Sequence, residues 1–104
     1  MTRYYLYILA DKKGGDIYIG RTNDLINRTS EHKSDIISNY TKNTGIHILV
    51  YYEEHKSLED AIKRERQIKK WKREWKINLV ERFNPEWKDL YSDIKKTTPT
   101  KNGG

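Results

Sequence analysis

The residues of this chain with the most chemical potential are two tyrosines, an arginine and a histidine that lie close together in sequence. They fall in Tyr5-Leu6-Tyr7, in Tyr18-Ile19-Gly20, and at Arg28 and His32. Alternation predicts that Tyr5, Tyr7 and Leu9 share one face of a strand, with Tyr4, Leu6, Ile8 and Ala10 on the other. Lys12-Lys13-Gly14-Gly15 reads as the reversal into a second strand. If Asp11 pairs with Asp16, Tyr7 lies opposite Gly20 and Tyr18 sits diagonally beside it; a bulge would shift this register by one. Gly20 has no side chain, so this reading leaves room beside the two phenols for a ligand group.

A helix should follow, capped by Asn23 or Asp24. Leu25, Arg28, Thr29 and His32 recur at i, i+3, i+4 and i+7, which puts a guanidinium and an imidazole on the stripe where Leu25 reaches the core. These are groups that bind anions and move protons. The alternative is an exposed Arg–His pair beside a lone core leucine.

The elements that must position these groups are bounded by composition. The chain has 104 residues, enough for one domain with a modest core. Hydrophobic residues make up 35% and aromatic residues 12%, so the core must lean on tyrosine and tryptophan rings. Cysteine is absent, which excludes disulfides and thiolate metal sites. No run reaches the length of a membrane span and the first residues lack a signal peptide's apolar stretch, so the expectation is a cytoplasmic protein with no membrane role. The formal net charge is +6. Lys63 to Lys76 carries eight basic and two acidic residues, which leaves thirteen of each sign elsewhere. The whole excess therefore sits in one segment, which suits a phosphate backbone, although a solvated helix face has the same composition.

Downstream of the first helix, Ser34 to Gly45 reads as a polar loop in which Tyr40, Thr41 and Lys42 could meet a substrate. His47 to Glu54 is β-branched and aromatic and should form the third strand, central or well covered. Ser57-Leu58-Glu59-Asp60 is a helix start, imperfect as a capping box because Asp stands where Glu or Gln is usual. Leu58, Ala61, Ile62, Glu65, Ile68 and Lys69 form the stripe expected to face the sheet. Glu65 interrupts it, and a buried carboxylate needs a partner. That partner could be Arg28, or a divalent cation whose shell substrate phosphate completes. The helical pattern continues past Trp71 and Trp75 to Phe83, and Asn84-Pro85 stops it. The tryptophans are read as packing rather than as base-stacking platforms. Trp87 and Leu90 should dock on the core. The domain is expected over residues 1–92, with a flexible tail over 93–104.

The order Tyr5-Leu6-Tyr7, Tyr18-Ile19-Gly20, Arg28, His32, Glu65 resembles the GIY-YIG nuclease superfamily, most closely the small single-domain proteins related to the N-terminal domain of the bacterial repair excinuclease. The resemblance spans roughly residues 3 to 91. In the first motif only Tyr7 is retained, since Tyr5 and Leu6 replace Gly and Ile. The resemblance implies an α+β fold with a small three-stranded antiparallel sheet flanked by helices, in the order β-β-α-β-α-α. It implies a DNA endonuclease of the kind found in DNA repair. Tyr7, alone or in relay with Tyr18, would take a proton from the attacking water, helped by Arg28 and a metal-bound water. Arg28 would stabilise the phosphoryl oxygens, His32 would orient or shuttle protons, and Glu65 would hold one Mg²⁺ or Mn²⁺. Arg21 stands where some members carry a phosphate-contacting lysine, while neither Asn78 nor Asn84 matches the family's supporting asparagine.

The partner this implies is nucleic acid, DNA before RNA, held by Arg21, Lys42, Lys63, Arg66, Lys69, Lys70 and Arg73. Two other readings keep the scaffold without the chemistry. One is a non-catalytic nucleic-acid-binding module using the Lys63–Lys76 stripe, and the other is a protein interface at the Trp71/Trp75 edge.

Overall fold

A computed structural model of the chain describes residues 3–33 and 45–97. Tyr40, Thr41 and Lys42 lie outside the described residues. Three strands, β1 (Tyr4–Ala10), β2 (Ile17–Thr22) and β3 (Ile48–His55), form an antiparallel sheet in the order β2-β1-β3. Helix α1 (Leu25–Lys33) follows the hairpin, and α2 (Leu58–Lys69), α3 (Arg73–Phe83) and α4 (Tyr91–Thr97) follow β3. This is the α+β architecture expected from the sequence, with one more short helix at its end.

The hairpin register is the one that alternation requires. Asp11 N–H donates to the Asp16 carbonyl at 3.2 Å, and Tyr7 stands opposite Gly20. Gly14, at φ 69°, supplies the left-handed residue of the reversal. β1 is the central strand and is buried on both faces. Leu6, Ile8 and Ala10 join Val50, Ile68, Val80 and Trp87 on one side; Tyr7 and Leu9 join Leu25, Ile46, Leu49, Leu90 and Ile94 on the other. β3 is an edge strand, and its apolar run serves both cores because the β1–β3 ladder shifts register between Ile8 and Leu9. Ile8 pairs with Tyr51 and Leu9 with Leu49, so Val50 stands as the extra residue of a bulge.

The long helical pattern after Ser57 is two helices. Ser57 caps α2 through its hydroxyl, which accepts from Asp60 N–H at 3.1 Å. At the other end Lys70 and Trp71 N–H close tight turns onto Gln67 and Ile68, and Lys72 is extended at φ −63°, ψ 152°. This corner lets Ile68 and Val80 enter the same core, which one straight helix could not arrange. Of the stripe expected to face the sheet, Ala61 and Ile68 are buried, whereas Leu58 and Lys69 are exposed. Residues 93–97, expected in the tail, belong to α4. The fold passes the boundary expected at residue 92 because Ile94 reaches the core beside Leu90.

Asn84 explains why the chain turns where it does. Its backbone N–H caps α3 on the Val80 carbonyl at 2.7 Å, and its buried amide donates to the carbonyls of Val50 at 3.2 Å and Lys88 at 2.8 Å. The bulge at Val50 leaves that carbonyl to be satisfied from outside the β1–β3 ladder. Asn84→Ala should therefore cost about 1–3 kcal/mol, the penalty for stranding a buried acceptor. Urea unfolding should give a lower midpoint with an unchanged slope, and a midpoint equal to wild type would remove Asn84 from this role.

Candidate active site

Tyr7, Tyr18 and His32 pack as a triangle of rings. Centroid separations are 6.3 Å for the two tyrosines, 6.0 Å for Tyr7 and His32, and 5.4 Å for Tyr18 and His32. The hairpin places the tyrosines and α1 delivers the histidine. Asp24 fixes that helix: its carboxylate accepts from Asn27 N–H at 3.2 Å, and its own N–H donates to the Thr22 hydroxyl at 3.0 Å. Leu25, Thr29 and His32 then lie buried on one face, and the Thr29 hydroxyl is satisfied by the Leu25 carbonyl at 2.6 Å.

Within the triangle the Tyr7 hydroxyl lies 3.2 Å from His32 Nε2, both residues being about 1% exposed. Burial, reinforced by the Arg28 charge, pulls His32 below its ordinary value, so the ring is neutral at physiological pH. A neutral ring with its proton on Nδ1 would present Nε2 as an acceptor for the phenol, whereas the other tautomer would donate from Nε2 to the phenol oxygen. Burial also pushes Tyr7 well above the ordinary phenol range, with Tyr18 adding to the rise. The Arg28 charge opposes that rise with a smaller pull. Arg28 does ease Tyr7 deprotonation, as expected, but desolvation of the phenolate outweighs the arginine's attraction and leaves the phenol above its ordinary range.

Gly20 provides the space, though for the protein itself. A Cβ built there would lie 2.7 Å from Tyr7 Cζ and Oη and 3.1 Å from Tyr18 Cε2. The floor expected to be open to a ligand is covered by the Tyr7 phenol.

The charged residues gather around β2, the other edge strand. A pocket of about 360 Å³ is lined by Tyr4, Arg21, Thr22, Asn23, Arg28, Leu58 and Ala61, so α1 and α2 meet across the end of this strand. Arg28 makes a long ion pair with Glu31 at 3.7 Å and remains substantially exposed. Glu65 does not pair with Arg28. One of its oxygens accepts from Arg21 Nε at 2.7 Å and the other from Lys69 Nζ at 2.8 Å. Arg21 takes the place expected for Arg28 because it stands opposite Leu6 and so faces α2, whereas Arg28 approaches from α1. Glu65 is still close enough to Tyr7 for its charge to contribute to the raised phenol value.

Glu65 suits a hard divalent cation as a single carboxylate with its side chain 16% exposed. No group of three or more His, Cys, Asp or Glu side chains stands ready as a metal cage among the described residues. A Mg²⁺ or Mn²⁺ held here would rest on this one carboxylate and complete its shell with phosphate and water oxygens, which is common for Mg²⁺.

The basic residues divide into two groups. Lys63, Arg66 and Lys70 are exposed. Lys69 is engaged by Glu65, and Arg73 donates to the Gly14 and Gly15 carbonyls at 2.8 and 2.5 Å, tying α3 to the hairpin loop. Tyr4, Thr22 and Asn23 escape sequence reasoning as pocket residues. Tyr4 lies on the face of β1 opposite Tyr7, and only the convergence of α1 and α2 brings it to the same opening as Arg28.

The chain is similar to known proteins. Residues 3–78 match the GIY-YIG catalytic domain. A UPF0213 protein of Staphylococcus haemolyticus is 32% identical over 81 residues, covering 78% of this chain and 98% of its own length. A UPF0213 protein of Syntrophus aciditrophicus is 39% identical over 89 residues, covering 83% and 98%. The solution NMR structure of a UPF0213 protein from Bacillus halodurans is 31% identical, with a TM-score of 0.50 over 94% of this chain and 99% of that one. With the tyrosines of both motifs meeting over Gly20 and the family match spanning most of its length, this chain belongs to the GIY-YIG catalytic-domain family.

Proposed function

We propose that this protein is a metal-dependent phosphodiesterase that cuts DNA, with Tyr7 and His32 acting as a proton relay. The observation that carries the reading is the buried contact between the Tyr7 hydroxyl and His32 Nε2 at 3.2 Å. A phenol so strongly protonated is a poor base alone. Coupled to a neutral imidazole it can accept a proton from water while passing its own to Nε2, and it never becomes a free phenolate. The resulting hydroxide attacks phosphorus, the P–O bond to the leaving oxygen breaks, and the proton ends on His32. Tyr18 completes the ring triangle and orients Tyr7. Arg28, exposed on the pocket wall, supplies a planar fork for the phosphoryl oxygens. Arg21 reaches the same pocket and exchanges Glu65 for phosphate when substrate enters. A divalent ion on Glu65 would polarise the phosphate and stabilise charge on the leaving oxygen.

A non-catalytic binding module would use the same cations without the relay. In that reading the buried tyrosine–histidine pair would serve only to satisfy the Tyr7 hydroxyl, and Tyr7→Phe would leave nucleic-acid binding intact.

Cleavage of supercoiled plasmid, single-stranded DNA, a branched junction and structured RNA with Mg²⁺ or Mn²⁺ tests the proposal. Wild type should cut at least one of these, and Tyr7→Phe should slow cutting by roughly 10²- to 10⁴-fold; losing the buried contact to His32 should also cost about 1–3 kcal/mol, so unchanged circular dichroism at the assay temperature must accompany the loss. Glu65→Gln should abolish both cutting and Mn²⁺ binding measured in the absence of nucleic acid. Full activity in Tyr7→Phe would overturn the relay.

The pH profile follows from the direction of the His32 shift. The relay needs neutral His32, whose value in the fold lies below the ordinary imidazole value of about 6.5. Cutting should therefore hold as pH falls through about 6.5 and be lost only at lower pH, as His32 charges. Single-turnover rates should place the acid limb there, and Arg28→Gln should move that limb upward by removing a cation that opposes protonation. An acid limb above 6.5 in wild type would exclude His32 as the acceptor.

A further inference from the structure

Trp75 is 52% exposed, although tryptophan is normally among the more buried residues. Trp87 is buried and Trp71 packs partly against the core, so the expectation that the tryptophans are packing residues fails at Trp75 alone. Its ring meets Trp71 edge-on at 6.1 Å, and the Arg64 guanidinium stacks over Trp71 at 5.3 Å. Arg64 is itself held by Glu53 and Gln67 at 2.8 and 2.9 Å, so Trp75 leans on a braced neighbour. Beside the pair runs a groove of about 470 Å³, lined by Trp71, Trp75, Asn78, Leu79, Glu81 and Arg82.

We propose that Trp75, braced by Trp71, is a stacking platform for an unpaired DNA base, so that the protein engages single-stranded DNA flanking the active site. The proposal deepens the nuclease reading and rests on its nucleic-acid substrate. Charge argues for this occupant. The groove opens from the Lys63–Lys76 segment, where the chain's whole +6 excess is concentrated. Glu81, the one acid in the lining, is engaged by Trp87 Nε1 at 2.9 Å. A second copy is disfavoured, because a two-fold contact through this face would set each basic segment against itself. A paired base keeps its faces inside the duplex stack, whereas an unpaired one can lie on an indole ring next to cations that hold its phosphates. Asn78 adds an amide at the groove that can meet a base edge. The path to the active site is short. Lys69 contacts Glu65, and Lys76 at the start of α3 donates back to the Lys69 carbonyl at 3.4 Å, so the platform sits one corner away from the carboxylate.

The test is binding of a short oligothymidylate and of a duplex of equal length, with EDTA present and no added metal so that cleavage cannot interfere. Expected are quenching of indole fluorescence by the single strand, a roughly 5- to 150-fold loss of single-strand affinity in Trp75→Ala, and no more than a small change for the duplex. Trp75→Phe should recover most of the loss, because it restores a ring; unchanged circular dichroism would show that both variants fold. Equal single-strand affinity in wild type and Trp75→Ala would overturn the platform and leave the nuclease proposal standing if wild type still cuts. Equal losses for both ligands would also overturn it, since a general loss is not stacking. A concentration-dependent dimer in sedimentation, abolished in Trp75→Ala with DNA binding intact, would assign the face to self-association instead. No binding of either ligand by wild type would remove the nucleic-acid reading along with the platform.

Discussion

The hydroxyl of Tyr7 is carried into the protein by a strand that is buried on both faces, and much of this fold is arranged to satisfy it. An unpaired phenol in that position would cost as much as a stranded buried hydrogen-bonding group. His32 prevents this from α1, and α1 can do so only because Asp24 and Thr22 fix where it begins. The strand opposite must have no side chain where the phenol lies, and the residue there is Gly20. Burial and the Arg28 charge both pull His32 toward its neutral form, the form that can accept from the phenol. A local requirement of hydrogen bonding thus prescribes a glycine, a helix cap and a protonation state in three separate segments.

A second buried tyrosine sits in a different electrostatic setting. The Tyr51 hydroxyl bonds to Glu53, whose carboxylate also takes His55 and Arg64. Those hydrogen bonds hold Glu53 below the usual carboxylate range despite its burial, while burial and the carboxylate push Tyr51 up. Each partner is supplied by the protein, and the cluster rivets β3 to α2. Tyr7, by contrast, feels Arg28 and Glu65, charges whose own partners are exchangeable: Arg28 makes a long contact to Glu31 beside an open pocket, and Glu65 is shared by two cations. Similar side chains therefore make a fixed clamp in one place and, in the other, lie near charges whose partners can be exchanged.

How much of this was legible in the sequence follows from the range of the interactions involved. The hairpin register, the faces of β1 and the caps at Asp24 and Ser57 depend on neighbours a few residues away, and alternation or spacing exposes them directly. The pairing of Tyr7 with Gly20 and the shared stripe of Arg28 and His32 were visible for that reason. The partner of Glu65 was not. It depends on which face of β2 carries Arg21 and how α2 crosses the sheet, distances set over 44 residues of separation. The corner at Lys70 to Lys72 was hidden because its residues are good helix formers, and the break is imposed by Ile68 and Val80 sharing one core. The net balance at Tyr7 was not legible for a related reason: spacing reveals that an arginine is near to ease deprotonation, while the depth of burial that outweighs it is a property of the whole packed sheet.

The cations follow the same division. Lys69 and Arg73 look interchangeable with Lys63 and Arg66 in a run of charge, yet in the fold Lys69 neutralises Glu65 and Arg73 closes the hairpin loop. A cation already bonded to carbonyls in an exposed loop adds positive potential without being free to follow a ligand, whereas an exposed lysine can do both. The segment's +6 therefore acts at two ranges. Under the proposed function it would act as a field drawing a polyanion to the side of the molecule where α2 meets α3, and would leave the exposed Lys63, Arg66 and Lys70 as individual contacts for phosphates. Sequence specificity requires groups that reach base edges, and side chains of this kind reach the backbone. A face built in this way favours recognition by charge and strand geometry over recognition by sequence.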